Sequence, residues 1–428
     1  MFAAVSGRTF ASLGRYRNFR LYFAGQAISF TGTWMQQIAA SWLVLTLTHS
    51  AVAVGALALV QLLPVTVLGL FVGTILDRFD VRRTAILCES ISLVLAAILA
   101  ALTLGGVVTV AEVFALAGLQ GIVNAIDAPA RHSLVFQMVG RKDLPNAVAL
   151  TSSLGTTARI LGPALGGLVV AFAGSGVCFA LNAVSFLAIL VCLLSLDTAA
   201  MLKPVRDRGA TVIGGAADGM RFVAGSRRAG AAFAVVFVLA TFAFNFNVLL
   251  PLLAARTLDS GAATFGLLAA IFGAGALCGA LINATSGKAS IRRLLIGATG
   301  FGLFELILAP QHSLLPVCVL LLATGVCYTL WGTNALTVMQ LEAPEHLRGR
   351  AVAMYFFAFL GGAPLGGLLA GWLVSVGGTP LAFAVGGATS VTMAMLAVLY
   401  LGRAQVPAGQ RPSIAATASA MLRSAIPR

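Results

Sequence analysis

The chain has 428 residues, of which 59% are hydrophobic and only 9% charged, and its mean hydropathy is +0.99. Soluble domains carry about 25% charged residues, so this composition excludes a water-soluble globular protein and calls for lipid around most of the surface. The net charge of +14 would fit a nucleic-acid binder, but the placement of the charges along the chain excludes that class.

A helix crosses a bilayer with about 20 mostly apolar residues. Runs of that kind fall at 20–47, 51–76, 84–104, 107–130, 146–172 and 177–196. A polar stretch, 197–229, follows with Lys203, Arg206, Arg208, Arg221, Arg227 and Arg228. Apolar runs resume at 230–254, 264–285, 293–310, 313–340, 350–375 and 379–402. The tail 403–428, rich in Ala, Ser and Pro, reads as a disordered cytoplasmic end. The first 20 residues are basic and polar, without the short apolar core of a cleavable signal. The expectation is therefore an all-α polytopic membrane protein of twelve helices. Residues 1–196 form one group of six, 197–229 a cytoplasmic linker, and 230–402 the second group.

Of the 27 Lys and Arg residues, 25 fall in the two tails and in the loops that follow even-numbered helices. Arg256 is alone on the opposite side, and Arg159 lies inside helix five. Cytoplasmic loops carry the excess of basic residues, so the bias predicts both termini in the cytoplasm of an inner-membrane protein. The positive charge then faces anionic headgroups rather than nucleic acid. All six cysteines lie inside apolar runs without metal-ligand spacing, and they read as small buried hydrophobes. No metal or cofactor is expected, and no phosphate-binding G-x-x-x-x-G-K-[ST] loop is present in the chain. No nucleophile–base–acid set stands out, so an enzyme is not expected.

Helix five carries Gly162-Pro163-Ala164-Leu165-Gly166-Gly167, and helix eleven carries Gly362-Ala363-Pro364-Leu365-Gly366-Gly367, with the Gly-Gly pairs 200 residues apart. Duplicated halves of six helices are the architecture of a large transporter class, with the binding site between the halves near the midplane. Glycines let helices approach closely, and proline frees a backbone carbonyl, so such a segment can bend or slide.

The loop after helix two, Gly73-Thr74-Ile75-Leu76-Asp77-Arg78-Phe79-Asp80-Val81-Arg82-Arg83, resembles the G-x-x-x-D-R-x-G-x-R-R signature of the major facilitator superfamily, with Asp80 in place of the second glycine. Further stretches resemble its enterobactin-exporter-like and macrolide-efflux-like branch. They are Gly32-Thr33-Trp34-Met35-Gln36-Gln37, Leu47-Thr48-His49-Ser50, Asp127-Ala128-Pro129-Ala130-Arg131 and Asp143-Leu144-Pro145-Asn146-Ala147. Ala158-Arg159-Ile160-Leu161-Gly162-Pro163, Asn245-Phe246-Asn247-Val248-Leu249-Leu250-Pro251 and Pro344-Glu345-His346-Leu347-Arg348-Gly349-Arg350 complete the set. The resemblance spans residues 15–402 and implies the major facilitator fold of two pseudo-symmetric six-helix halves, a monomer. It implies a secondary transporter, a proton-driven exporter of a small amphipathic molecule such as a drug, macrolide or siderophore. An importer of lysophospholipid or metabolite and a transport-dead membrane sensor are the rival readings. It also places gating at Gly73, Asp77, Arg78, Arg82 and Arg83, at Asp127 and Arg131, at Gly162, Pro163, Gly166 and Gly167, and at Arg348 and Arg350. Two departures weaken the parallel. Ala117 stands where drug antiporters often carry an arginine before Gln120-Gly121, and the loop Gly287–Arg293 lacks the signature aspartate.

Charge inside a bilayer costs roughly 2.5–3.5 kcal/mol on insertion scales, so intramembrane ionisable groups are functional candidates. Arg159 is the foremost, either orienting an anionic substrate group or answering a coupling carboxylate, against the plainer role of bracing helix carbonyls. Glu305 in helix nine and Glu112 near the outer end of helix four are candidate proton carriers. Glu305 and Glu89 are demoted because helices three, six, nine and twelve are usually peripheral in the fold the resemblance implies. The candidate substrate contacts are Trp34, Gln36, Gln37, Gln120, Asn124, Arg159, Asn245, Asn247, Trp331 and Asn334. Any one of the amides would serve equally as an interhelical hydrogen bond.

Overall fold

The computed structural model describes residues 11–76, 79–202, 212–286 and 289–402. Among these residues every regular element is helical. Lipid supplies no water to satisfy backbone groups, and a helix satisfies them within itself. A short α1 (Ala11–Arg15) leads into α2 (Arg17–Thr48), α3 (Ala51–Leu76), α4 (Val81–Leu104) and the long α5 (Val110–Leu194). The second part comprises α6 (Val212–Gly225), α7 (Arg227–Phe242), α8 (Phe246–Leu252), α9 (Ala262–Ser286), α10 (Ile291–Leu308), α11 (Leu314–Glu342), α12 (Arg348–Gly361) and α13 (Ala363–Gly402).

Seven stretches among the described residues are long and apolar enough to cross a membrane, fewer than the twelve runs expected. Length explains part of the difference. α5 has 85 residues and is interrupted by non-helical backbone at Gly140 (φ 72°) and Gly174 (φ 83°). α13 is interrupted at Gly377 and at Gly378 (φ 71°). Only glycine takes positive φ without strain, so these residues mark where each long helix turns. Polarity explains the rest: α2 carries Gln26, Gln36 and Gln37, and α10 carries Arg292, Arg293 and Glu305.

Two further expectations change. The run 230–254 is not one helix, since the backbone breaks between Phe242 and Phe246 before a π-helical turn at Leu253–Thr257. The polar stretch 197–229 is not a plain linker either, because it contains α6, whose Asp218 pairs with Arg350 at the start of α12 and with Arg221 at 3.3 Å. The tail 403–428 and the gate residues Asp77 and Arg78 lie outside the described residues, and Gly73 falls in the last turns of α3.

α5 packs on α2, α3 and α4, while α11 packs on α9 and α10, and α13 on α10 and α7. Two seams join these groups, α5 against α9 and α3 against α13. The repeated glycine motif builds both. A Cβ on Gly162 would lie 2.4 Å from Trp34 Cβ, and one on Gly166 2.9 Å from Met35 Cα, both in α2. In the second copy, Gly362 and Gly366 press on Thr241 of α7 in the same way. The last glycine of each copy turns to the seam. A Cβ on Gly167 would lie 2.5 Å from Gly266 Cα in α9, and one on Gly367 3.0 Å from Ala58 Cβ in α3. Outside these contacts the chain exposes large apolar residues such as Phe172, Val184 and Leu315, the surface that lipid covers.

Candidate functional site

Between the seams lie two adjoining cavities of about 180 and 210 Å³ that share Trp34, Gln37, Ala58, Leu62 and Asn247. The smaller is bounded by α2, α3, α4 and α5 and is lined by amides, among them Gln36, Gln61, Gln120 and Asn124. Gln37 Nε2 donates to Gln61 Oε1 at 2.8 Å, and Gln120 Nε2 donates to Ser92 Oγ at 2.9 Å and to Asn124 Oδ1 at 3.0 Å. Gln36 Oε1 accepts from Asn182 Nδ2 at 2.7 Å. The larger cavity has apolar walls that include Phe244, Phe246, Phe265, Phe272 and Phe359. Ring stacking organises this wall: Phe244 lies on Tyr328 with centroids 4.4 Å apart, and Phe246 on Phe272 at 4.5 Å. The break before α8 presents these two phenylalanines, and it places Asn245 and Asn247 in the lining as well. Asn245 Nδ2 donates to Thr241 O at 2.9 Å, satisfying a carbonyl that the broken helix leaves free.

Arg159 is the one charged side chain among the described residues lining either cavity. It is exposed to the cleft, donates to Tyr328 Oη at 3.1 Å, and holds its guanidinium 5.0 Å from the Trp34 ring centroid. A guanidinium over an aromatic face is stabilised by about 0.5–2 kcal/mol, depending on desolvation. Tyr328 belongs to α11 and Trp34 to α2, so Arg159 on α5 touches both groups of helices.

Eight of the ten expected substrate contacts therefore line the cavities: Trp34, Gln36, Gln37, Gln120, Asn124, Arg159, Asn245 and Asn247. Trp331 and Asn334 do not. Trp331 is fully buried among Phe301, Tyr328 and Phe359, and Asn334 bonds Asn283 Oδ1 at 3.0 Å and the Ser290 backbone N–H at 3.1 Å. Tyr328 and the Phe244–Phe246 pair were missed, because a phenylalanine in an apolar run gives no sign of which way it faces.

The expected proton carriers separate. Glu112 is occupied in a capping box at the start of α5, where its Oε2 accepts from Thr109 N at 2.7 Å while Thr109 Oγ1 accepts from Glu112 N at 3.4 Å. Its carboxylate is thereby engaged at the helix start. Glu112→Ala is expected to lower stability by about 1 kcal/mol and to leave transport per folded molecule unchanged, measured by thermal melting alongside flux. Glu305 is fully buried, and neither carboxyl oxygen has a hydrogen-bond partner among the described residues. A Cβ on Gly386 would lie 3.0 Å from Glu305 Oε2 and 3.2 Å from the Phe242 carbonyl oxygen at the helix break.

Among the expected gate residues, Arg82 donates from Nε and Nη2 to the Leu193 and Leu194 carbonyls, each at 3.0 Å, and so caps the end of α5. Arg83 gives its backbone N–H to the N-cap Asp80 at 2.8 Å. Arg348 approaches Glu345 at 4.0 Å on the surface. Asp127 and Arg131 form a buried ion pair that also engages Glu89.

The seam contacts that use backbone atoms, Gly167 on Gly266, Gly55 on Gly367 and Gly371 on Ala51, cluster toward the end of the molecule where the α2–α3 turn meets Arg256. There Arg256 Nη2 donates to the His49 carbonyl at 2.6 Å. Toward the other end of the membrane-crossing part, Ser152, Ser153 and Thr156 of α5 are exposed. These contacts bring the two groups of helices together on the Arg256 side.

Comparison with known proteins agrees with this arrangement. Residues 8–422 match the model of a family described as transmembrane secretion effector. The multidrug efflux pump Tap of Mycolicibacterium fortuitum is 28% identical over 85% of this chain and 90% of its own length. The enterobactin exporter EntS of Salmonella typhimurium is 26% identical over 90% and 92%. The staphyloferrin A transporter of Staphylococcus aureus is 30% identical, but that match spans 41% of this chain and 44% of the relative, less than half its length. Among solved structures, a D-xylose–proton symporter superposes with a TM-score of 0.70 at 15% identity over 92% of this chain and 99% of its own. A POT family transporter in complex with 5-aminolevulinic acid gives 0.74 at 12%, covering 92% of this chain and 98% of its own, a likeness of fold alone. A chain matched over nearly its whole length by one family model, with a central cleft between two seams of helices, belongs to the transmembrane secretion effector family of major facilitator transporters.

Proposed function

We propose that this transporter is a proton-driven exporter of small amphipathic molecules, drug, macrolide or siderophore in kind. It crosses the inner membrane twelve times as a monomer, as two six-helix halves that rock about the cleft, with both termini in the cytoplasm. The observation that carries the reading is the lining of the cleft, a wall of stacked aromatic rings facing amides and a single guanidinium. Such a wall gains affinity by burying apolar surface, at roughly 25 cal/mol per Å², while Arg159 orients an anionic or electron-rich group on the same molecule. With the termini inside, the closed Arg256 side faces outward and the cleft opens to the cytoplasm, the state in which an exporter loads. The relatives named as efflux pump and siderophore exporter support this direction. By their resemblance to the superfamily signature, Asp77 and Arg78 serve in gating. A transport-dead sensor would need no cleft with polar lining.

The test is flux in inverted membrane vesicles with an imposed pH gradient and a panel of siderophores, macrolides and dyes. The reading expects gradient-dependent accumulation of at least one amphipathic compound, abolished by a protonophore. No accumulation across the panel, or accumulation indifferent to the gradient, would refute it.

A further inference from the structure

Among the described residues, the densest buried charge lies outside the cleft. Glu89 of α4 and Asp127 of α5 are 2% and 6% exposed, and both face Arg131. Arg131 Nη2 reaches Glu89 Oε1 at 2.7 Å, its Nε pairs with Asp127 Oδ2, and its guanidinium lies 5.1 Å from the Phe30 ring of α2. Two carboxyls thus share one cation. Glu89 Oε2 and Asp127 Oδ1 have no hydrogen-bond partner among the described residues. The other titratable groups within electrostatic reach are Tyr22 of α2 and Cys88 of α4, and neither supplies positive charge. With both carboxyls ionised, the cluster would hold an uncompensated negative charge in the protein interior, a state that low dielectric disfavours strongly.

A proton removes that charge. We propose that the Glu89–Arg131–Asp127 cluster is a proton-binding site that takes up one proton, at Glu89 Oε2, and couples it to the substrate cleft. This deepens the reading of the protein as a proton-driven transporter and rests on it. The step forms one O–H bond on a carboxylate and transfers no electrons. With Glu89 neutral, Arg131 and Asp127 remain as a balanced pair. When the proton leaves, Arg131 is shared between two anions, and that state persists only while water reaches the site to solvate the extra charge. Glu305 lacks this arrangement, because no cation or hydrogen-bond donor among the described residues stands by it to carry an ionised form.

The connection to the cleft is short. Ser92 lies one turn along α4 from Glu89, and its hydroxyl accepts from Gln120, which also bonds Asn124. Asn124 lies one turn along α5 from Asp127, and both amides line the smaller cavity. On α2, Phe30 against Arg131 is one turn from Trp34 against Arg159. A shift of Arg131 between its two carboxyls therefore reaches the substrate contacts through single helical turns of about 5.4 Å.

The test is infrared difference spectroscopy on the purified full-length protein between acidic and alkaline buffer, with flux measured in parallel. The wild type should show a pH-sensitive carboxylic C=O stretch that Glu89→Gln removes and Glu305→Gln leaves in place. Glu89→Gln also mimics the protonated cluster in shape and charge, so it should fold while gradient-driven flux falls at least tenfold. Absence of the band in the wild type, or its survival in Glu89→Gln, overturns the site. Loss of the band in Glu89→Gln together with wild-type flux that ignores the pH gradient would support the site and refute the proton-driven reading instead.

Discussion

Replacing Arg159 by lysine is expected to lower transport per folded molecule roughly 10- to 100-fold while the protein is still made and inserted. Lysine keeps the charge but not the planar fork, and one side chain can then no longer bond Tyr328 and cover the Trp34 ring together. A hydrogen bond from a charged group is worth about 1.5–3 kcal/mol, which sets that range. Arg159→Ala should fail at least as badly. If Arg159 only braced the helices, both variants would instead melt at a lower temperature in detergent, and residual flux would scale with the amount folded. Flux per folded molecule and melting temperature, measured together, separate the two. Normal flux per folded molecule in Arg159→Lys would take Arg159 out of the site.

The second large effect is expected at the seam between α5 and α9. Gly167 and Gly266 meet backbone to backbone, and a Cβ on Gly167 would also come within 2.8 Å of the Ala262 carbonyl oxygen. Backbone does not yield as a flexible side chain does, so Gly167→Val holds the seam open. Overpacking of this kind costs about 1–3 kcal/mol, a factor of roughly 5 to 150 in the balance between closed and open states. Spin labels at Ser50 and Ser260, on a background without native cysteines, should then report a longer and broader separation than in the unsubstituted seam, with flux reduced in proportion. An unchanged distance distribution would mean that the seam closes by another contact.

The helices were legible because lipid imposes a long apolar run on each crossing, and the run 51–76 matches α3 residue for residue. The paired glycine motifs were legible too, since only glycine admits the approaches seen at Gly162, Gly166, Gly362 and Gly366. The capping role of Glu112 is legible in Thr109-x-x-Glu112, although a carboxylate near the end of an apolar run also reads as a membrane carboxyl. The break after Phe242 left no comparable mark, because neither glycine nor proline stands within it and the asparagine that caps it also reads as a cavity amide. Facing was the hardest property to read. Trp331 and Asn334 differ from Trp34 and Asn124 only in which side of a helix they occupy, and a helix apolar on all sides carries no moment to reveal that. Glu89 sits on a helix that the resemblance places at the periphery, whereas its partner Arg131 comes from a neighbouring one.

The stacked wall of Phe244, Tyr328, Phe246 and Phe272 has a consequence for selectivity. Rings recognise area and polarizability and impose little directional demand, so a missing methylene in a guest changes its binding by only about 1–3 kcal/mol. Direction enters the cleft through a few amides and one fork of donors. A chamber built this way would rank compounds on a shallow slope instead of singling one out, and chemically unrelated guests would compete for it. The choice among them then falls to whichever is most abundant on the loading side, so that cargo is set as much by the chemistry of the cell as by the protein.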